Sequence, residues 1–165
     1  MNRTNAKTAT WRAIVAAALD WKQAHVTLDE AVAALPPELR GRRPTSFPHS
    51  VWELLEHIRI TQRDLLDFMV AETYHEAAWP EAYWPSSPGP PSDAAWDECL
   101  AAIARDREAL ARFTTETAID LTTKIPRGTG QTFLRTVLVA VDHTAYHTGQ
   151  IVAVRRLLGA WPAGR

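Results

Sequence analysis

The chain contains few of the residues that cross-link small proteins, since its 165 residues include one cysteine, Cys99. A single cysteine excludes an intramolecular disulfide and a metal cage built from thiolates. No run of apolar residues approaches the roughly 20 that a membrane-spanning helix needs. The first ten residues are polar and lack the apolar centre of a signal peptide. We therefore expect a cytoplasmic protein with no membrane partner.

An excess of charge of one sign is also missing, because 18 Lys and Arg residues stand against 19 Asp and Glu residues. Such a balance does not favour binding to a phosphate backbone, and a solvated loop explains the short cluster of Arg40, Arg42 and Arg43. We expect no nucleic-acid partner. The 46% of hydrophobic residues is typical of a globular protein, and the length fits one domain, over residues 1–165.

Apolar residues recur at intervals of three and four in four segments, as in amphipathic helices. The first segment runs from Trp11 to Leu35 and ends at two prolines, Pro36 and Pro37. The second follows Ser50 and Glu53, whose spacing is that of a capping box.

The third segment begins after Ser92 or Asp93, either of which can cap a helix, and the fourth runs from Phe133 to Leu158. Gly159 is expected to end the fourth helix. No segment shows the alternation of a strand. The pattern predicts an all-α four-helix bundle.

The segment from Thr73 to Pro91 differs from the helices in composition. It holds five prolines, and its aromatic residues include two tryptophans and a tyrosine close to them: Pro80, Pro85, Pro88, Pro90 and Pro91, with Trp79, Tyr83 and Trp84. This proline content argues against a long helix, and a connection of this length usually covers something or moves. The aromatic residues favour a covering loop that packs against the bundle.

Histidines on two of the predicted helices indicate a metal site. His143 and His147 are four residues apart, so their rings project from one face of the last helix. His57 lies beside the apolar stripe of the second helix. Three imidazoles converging in a core are costly unless something shares their nitrogens, which a divalent metal ion can do. Three protein ligands leave a coordination position open, as in reactive sites.

The remaining histidines are weaker candidates. His25 lies on the predicted first seam and is expected to be a core histidine, His49 is two turns from His57, and His75 falls in the covering loop.

Two of these helices resemble those of a known family. The run Val141-Asp-His-Thr-Ala-Tyr-His-Thr-Gly-Gln-Ile and the run Trp52-Glu-Leu-Leu-Glu-His-Ile resemble the metal-binding helices of the DinB-like (YfiT-like) superfamily. The resemblance extends from about Trp11 to Trp161. It implies an up-down-down-up four-helix bundle, a divalent ion on His57, His143 and His147, and frequent homodimers.

The resemblance also implies a range of activities. Members of the superfamily include thiol transferases that use bacillithiol or mycothiol, and a mycothiol-dependent maleylpyruvate isomerase. We therefore expect a metal-dependent thiol S-transferase of detoxification or stress response, with zinc or nickel ahead of iron, manganese or copper. A metal-dependent hydrolase and a non-catalytic, metal-stabilised stress or binding protein are the alternatives.

Several residues near the histidines have two interpretations. Tyr146 and Gln150 could orient a ligand or simply pack the helix, and Glu53 could support His57 or only cap its helix. Asp142 is the nearest candidate base for hydrolysis, but we expect it to be solvated. Cys99 lies on a helical seam, where core packing explains it better than nucleophilic chemistry.

Overall fold

The structure, a computed structural model, describes residues 3–162 and the side chains from residue 10 onward, so the predicted bounds 1–165 extend beyond it. Five α-helices occur in this range: α1 (Arg3–Ala18), α2 (Leu28–Val32), α3 (Val51–Val70), α4 (Asp93–Thr115) and α5 (Phe133–Leu157). Short 3-10 helices occur at Pro37–Leu39 and Glu81–Tyr83. The described residues form no β-strand, only an isolated bridge between Lys124 and Thr132. The predicted all-α class is confirmed.

The direction of the central helices follows from residues that meet along them. Trp52 near the start of α3 lies beside Trp96 near the start of α4, with ring centroids 6.4 Å apart. Further along both helices, the buried Gln62 amide donates to the Ile103 carbonyl at 2.7 Å. The helices α3 and α4 therefore run parallel.

The outer helices run the opposite way. Ile151, late in α5, packs in one core cluster with the start of α3, whereas Val137, early in α5, packs with its end. The buried Arg12 of α1 donates to the Thr114 carbonyl at the end of α4, at 2.9 Å, whereas Asp20, just after α1, pairs with Arg107 earlier in α4, at 3.2 Å. Helices α1, α3, α4 and α5 thus form the up-down-down-up bundle that the resemblance implies. Among the described residues, no helix combines the length and apolar character needed to cross a bilayer.

The single first helix predicted from Trp11 to Leu35 is wrong. Helix α1 ends at Ala18, and the chain turns before α2 begins at Leu28. Thr27 and Glu30 form a capping box that starts this new helix. Trp21 is 44% exposed and His25 is exposed, so neither belongs to the core seam predicted for them.

The predicted helix boundaries at α3, α4 and α5 agree better with the structure. The Ser50 hydroxyl accepts from the Glu53 N–H, and the Glu53 carboxylate accepts from the Ser50 N–H, which completes the predicted capping box. Ser92, rather than Asp93, caps α4. Gly159 follows α5 with φ of 68°, the left-handed conformation that favours glycine.

Candidate metal centre

Three histidines meet between α3 and α5. His57 projects from α3, while His143 and His147 lie one turn apart on α5. One ring nitrogen of each lies within 4.8 Å of those of the other two. The Nε2 atoms of His57 and His143 are 3.0 Å apart. His57 and His147 are buried, and His143 is partly buried. The structure therefore brings together the three side chains that sequence reasoning singled out.

The covering segment holds the His57 ring. Its Nδ1 lies 2.7 Å from the Tyr83 carbonyl oxygen, and since a carbonyl only accepts, Nδ1 carries the proton. The Trp84 ring stacks on the imidazole with centroids 4.0 Å apart and planes 1° apart. In the neutral ring, this tautomer leaves Nε2 unprotonated and directed toward His143.

The His147 ring is held from within its own helix. Its Nδ1 lies 2.7 Å from Gln150 Oε1, where an amide oxygen accepts the imidazole proton. Nε2 of His147 is then the nitrogen left for a ligand. Tyr146, predicted with Gln150 as a supporting residue, is 64% exposed and contacts His147 only edge to face, with ring centroids 5.0 Å apart. Gln150 is therefore better placed than Tyr146 to orient the His147 ring.

Burial keeps these imidazoles neutral. It lowers the pKa of His143 to about 3, helped by the neighbouring His147 and His57. It also lowers the pKa of His147 to about 4, against the hydrogen bond to Gln150. The pKa of His57 is lowered by burial as well, although the Tyr83 carbonyl favours its charged form. Neutral imidazole is the form that coordinates metals.

The closest pair of ring nitrogens has the spacing of two ligands of one metal ion. Two nitrogens about 2.0–2.1 Å from a zinc ion, at angles of about 90–110°, lie about 2.9–3.4 Å apart. The 3.0 Å between the Nε2 atoms of His57 and His143 falls in that range. Two of the rings also have the outer hydrogen bond that metal-binding histidines usually make. Three histidines this close together can hold a metal ion.

Glu53, considered as a partner for His57, has a different role. Its carboxylate accepts from the Arg43 guanidinium and from the Ser50 N–H, while the Tyr83 carbonyl takes the His57 proton. The prediction that Glu53 supports His57 is therefore wrong, and its capping interpretation is confirmed. The reason is that both carboxylate oxygens of Glu53 already accept hydrogen bonds at the start of the helix.

Other candidates lie apart from the group of three histidines. His75 and Asp142 are exposed. Cys99 is buried, and both burial and its hydrogen bond to Glu56 raise the pKa of its thiol. It is a core residue and not a reactive thiolate.

The sequence did not reveal the roles of Tyr83, Trp84 and His49. His49 stacks on the face of Trp84 opposite His57, with centroids 4.2 Å apart and planes 11° apart. The aromatic content of the segment was the available signal, and it predicted a covering loop but no contact. Trp79 of the same segment contacts the Tyr83 ring, with centroids 5.3 Å apart, but stays 70% exposed.

Comparison with known families agrees with this geometry. The family model described as the DinB superfamily matches residues 20–151. This stretch contains all three histidines, the covering segment and most of the bundle. Searches of curated proteins and of solved structures give no match. With an up-down-down-up bundle, a histidine group shared by α3 and α5, and a match over most of its length, the chain belongs to the DinB superfamily.

Proposed function

We propose that the protein is an enzyme that binds one divalent ion on His57, His143 and His147 and transfers a small thiol to an electrophile. The observation that carries the proposal is the set of three converging imidazoles, to which the described part of the chain adds no further His, Cys, Asp or Glu ligand. Three ligands leave room for a reactant at the ion. Imidazole nitrogens suit zinc, nickel, iron and copper, of which we propose zinc or nickel, and manganese is a further candidate.

The ion has one chemical task in this proposal. A bound divalent cation stabilises the deprotonated form of a thiol beside it, so that the thiolate is available at neutral pH. The thiol loses its proton, its sulfur forms a bond to an electrophilic carbon, and a leaving group departs or the electrophile takes up a proton. The protein's own residues orient the ligands: Tyr83 and Gln150 accept the Nδ1 protons of His57 and His147.

A cleft further along the bundle, which none of the three histidines lines, offers space for reactants. It has a volume of about 1220 Å³ and lies between the later half of α3, residues 126–131 and the start of α5. Asp64 and Thr136 line it. Each is seven residues from a histidine, His57 or His143, which is almost two helical turns or about 10 Å. Because α3 and α5 are antiparallel, Asp64 and Thr136 both lie toward the same end of the bundle, relative to the histidines. The cleft is large enough for a thiol and an electrophile.

Hydrolysis has less support. It needs a base beside the open position, and Asp142 is exposed on α5. Among the described acidic residues near the start of α3, Glu53 is paired with Arg43 and Glu56 with Arg59.

Cytoplasmic location and homodimerisation remain predictions from the sequence and from the family resemblance.

The test is a transfer assay. The protein is loaded with zinc or nickel and incubated with bacillithiol, mycothiol or glutathione and an electrophilic chloroarene, and the conjugate is measured by mass spectrometry. We expect conjugate with the metal-loaded protein, and none above background with the metal-free protein or with His143→Ala. If the protein takes up metal but forms no conjugate with any metal and thiol, the transferase proposal is wrong and the non-catalytic alternative replaces it.

A further inference from the structure

Two consecutive residues of the covering segment contact the same imidazole. The Tyr83 carbonyl accepts the Nδ1 proton of His57 at 2.7 Å, and Trp84 stacks on the ring with centroids 4.0 Å apart. The hydrogen bond determines which nitrogen carries the proton. The stack determines the plane of the ring, because a planar indole lies parallel to it within 1°. Together they fix the direction in which the unprotonated Nε2 points.

Trp84 is itself held in place. His49, just before the cap of α3, stacks on its other face with centroids 4.2 Å apart. The indole therefore lies between two imidazoles, both positioned by the start of α3.

The hydroxyl end of the Tyr83 side chain is held in place as well. The side chain is buried, and burial together with interaction with the Asp64 carboxylate raises the pKa of its hydroxyl to about 12. Asp64 also accepts from the Tyr74 hydroxyl at 2.9 Å. The carbonyl that holds His57 thus belongs to a residue fixed to α3 at both ends.

We infer that Trp84 is a positioning residue for the metal site, which keeps the His57 ring in the plane and tautomer that aim Nε2 at His143. The inference rests on the proposed function, since an ion at the three histidines is what this nitrogen would bind. Trp84 does not coordinate the ion, because an indole N–H is only a donor. It acts through His57, as outer partners of metal-binding histidines do.

A purely structural role for Trp84 predicts something different. In that case its loss lowers the melting temperature but leaves the metal affinity of the folded protein unchanged. Metal affinity and the tautomer of His57 therefore separate the two roles.

The chain offers matched variants for the test. Trp84→Ala removes the stack, Trp84→Phe keeps an aromatic face, and Trp21→Ala changes a tryptophan that lies outside the covering segment and is 44% exposed. Zinc affinity is measured by competition with a chromophoric chelator. We expect Trp84→Ala to bind zinc about 10–100-fold more weakly, with Trp84→Phe close to wild type and Trp21→Ala unchanged. If Trp84→Ala does not fold, Trp84→Leu, which keeps bulk without an aromatic face, replaces it.

A second readout needs no metal. The 15N shifts of the imidazole nitrogens of His57 in the metal-free protein should show a protonated Nδ1 in wild type and a mixture of tautomers in Trp84→Ala. If wild type takes up none of zinc, nickel, iron, manganese and copper, the proposed function fails. If wild type binds zinc and Trp84→Ala binds it equally well, the positioning role of Trp84 is overturned while the metal site stands.

Discussion

At the scale of single residues, the site depends on which nitrogen of each histidine carries a proton. For His57 and His147, acceptors on the protein bind the Nδ1 protons, and burial keeps the rings neutral at physiological pH. These two rings are preorganised, because their Nε2 atoms need neither deprotonation nor a change of tautomer before they bind an ion.

Gln150 provides a test of this arrangement. Gln150→Leu removes the acceptor of the His147 Nδ1 proton, so we expect zinc affinity to fall by about 10-fold or more, as for other outer partners. Tyr146→Phe is the matched control, since Tyr146 is 64% exposed and its hydroxyl makes no hydrogen bond within the described part of the chain. Isothermal titration of both variants measures the effect. Equal affinities for Gln150→Leu and wild type would show that the amide does not orient His147.

The sequence predicted the three histidines because helical spacing places side chains reliably on a face. It did not predict the Tyr83 carbonyl or the Trp84 stack, because these belong to an irregular segment without a period. Contacts made by such a segment depend on the complete fold.

At the scale of the helices, local capping signals were more reliable than apolar spacing. Ser50 and Glu53 predicted the start of α3 correctly. Apolar spacing across the first 35 residues suggested one helix, although Thr27 and Glu30 already had the spacing of a capping box. In the structure, α1 ends before this capping box and α2 begins with it. The three- and four-residue spacing of apolar residues continues across the connection although the connection is not helical.

The capping box of α3 predicts a pH dependence of stability in the metal-free protein. Burial alone would raise the pKa of Glu53, but hydrogen bonds from Arg43 and Ser50 outweigh it and hold this pKa below its usual value. The stabilisation is therefore present above the unfolded pKa of about 4.3 and is lost as the pH falls through the lower folded pKa. We expect Glu53→Gln to cost about 1 kcal/mol at pH 7 and much less at pH 3.

Urea denaturation of wild type and Glu53→Gln at both pH values measures this difference. A gap between the two proteins that is the same at pH 3 as at pH 7 would mean that the ionised carboxylate does not stabilise the helix start.

At the scale of the whole molecule, the site joins two helices that come from distant parts of the sequence. Helices α3 and α5 are separated by α4 and by two irregular segments. An ion bound by both helices links them across the interior of the bundle. It can bind only when the bundle is formed. Metal binding should therefore be linked to global stability.

This linkage predicts a rise in melting temperature. At a free zinc concentration about 100 times the dissociation constant, binding adds about 2.7 kcal/mol to the free energy of unfolding. For a chain of this size, the increase corresponds to roughly 5–11 °C. Calorimetry with and without zinc measures it, and His57→Ala should show no rise at the same zinc concentration. A similar rise in that variant would place the stabilising ion elsewhere.

The central claim is that His57, His143 and His147 hold one ion, and metal content tests it most directly. Elemental analysis of purified, metal-loaded protein is compared with the variants His143→Ala and His75→Ala, the second of which changes an exposed histidine of the covering segment. We predict about one ion per chain in wild type and in His75→Ala, as expected for a single three-histidine site, and none in His143→Ala. Equal metal content in the two variants, whether retained or lost, would contradict the assignment.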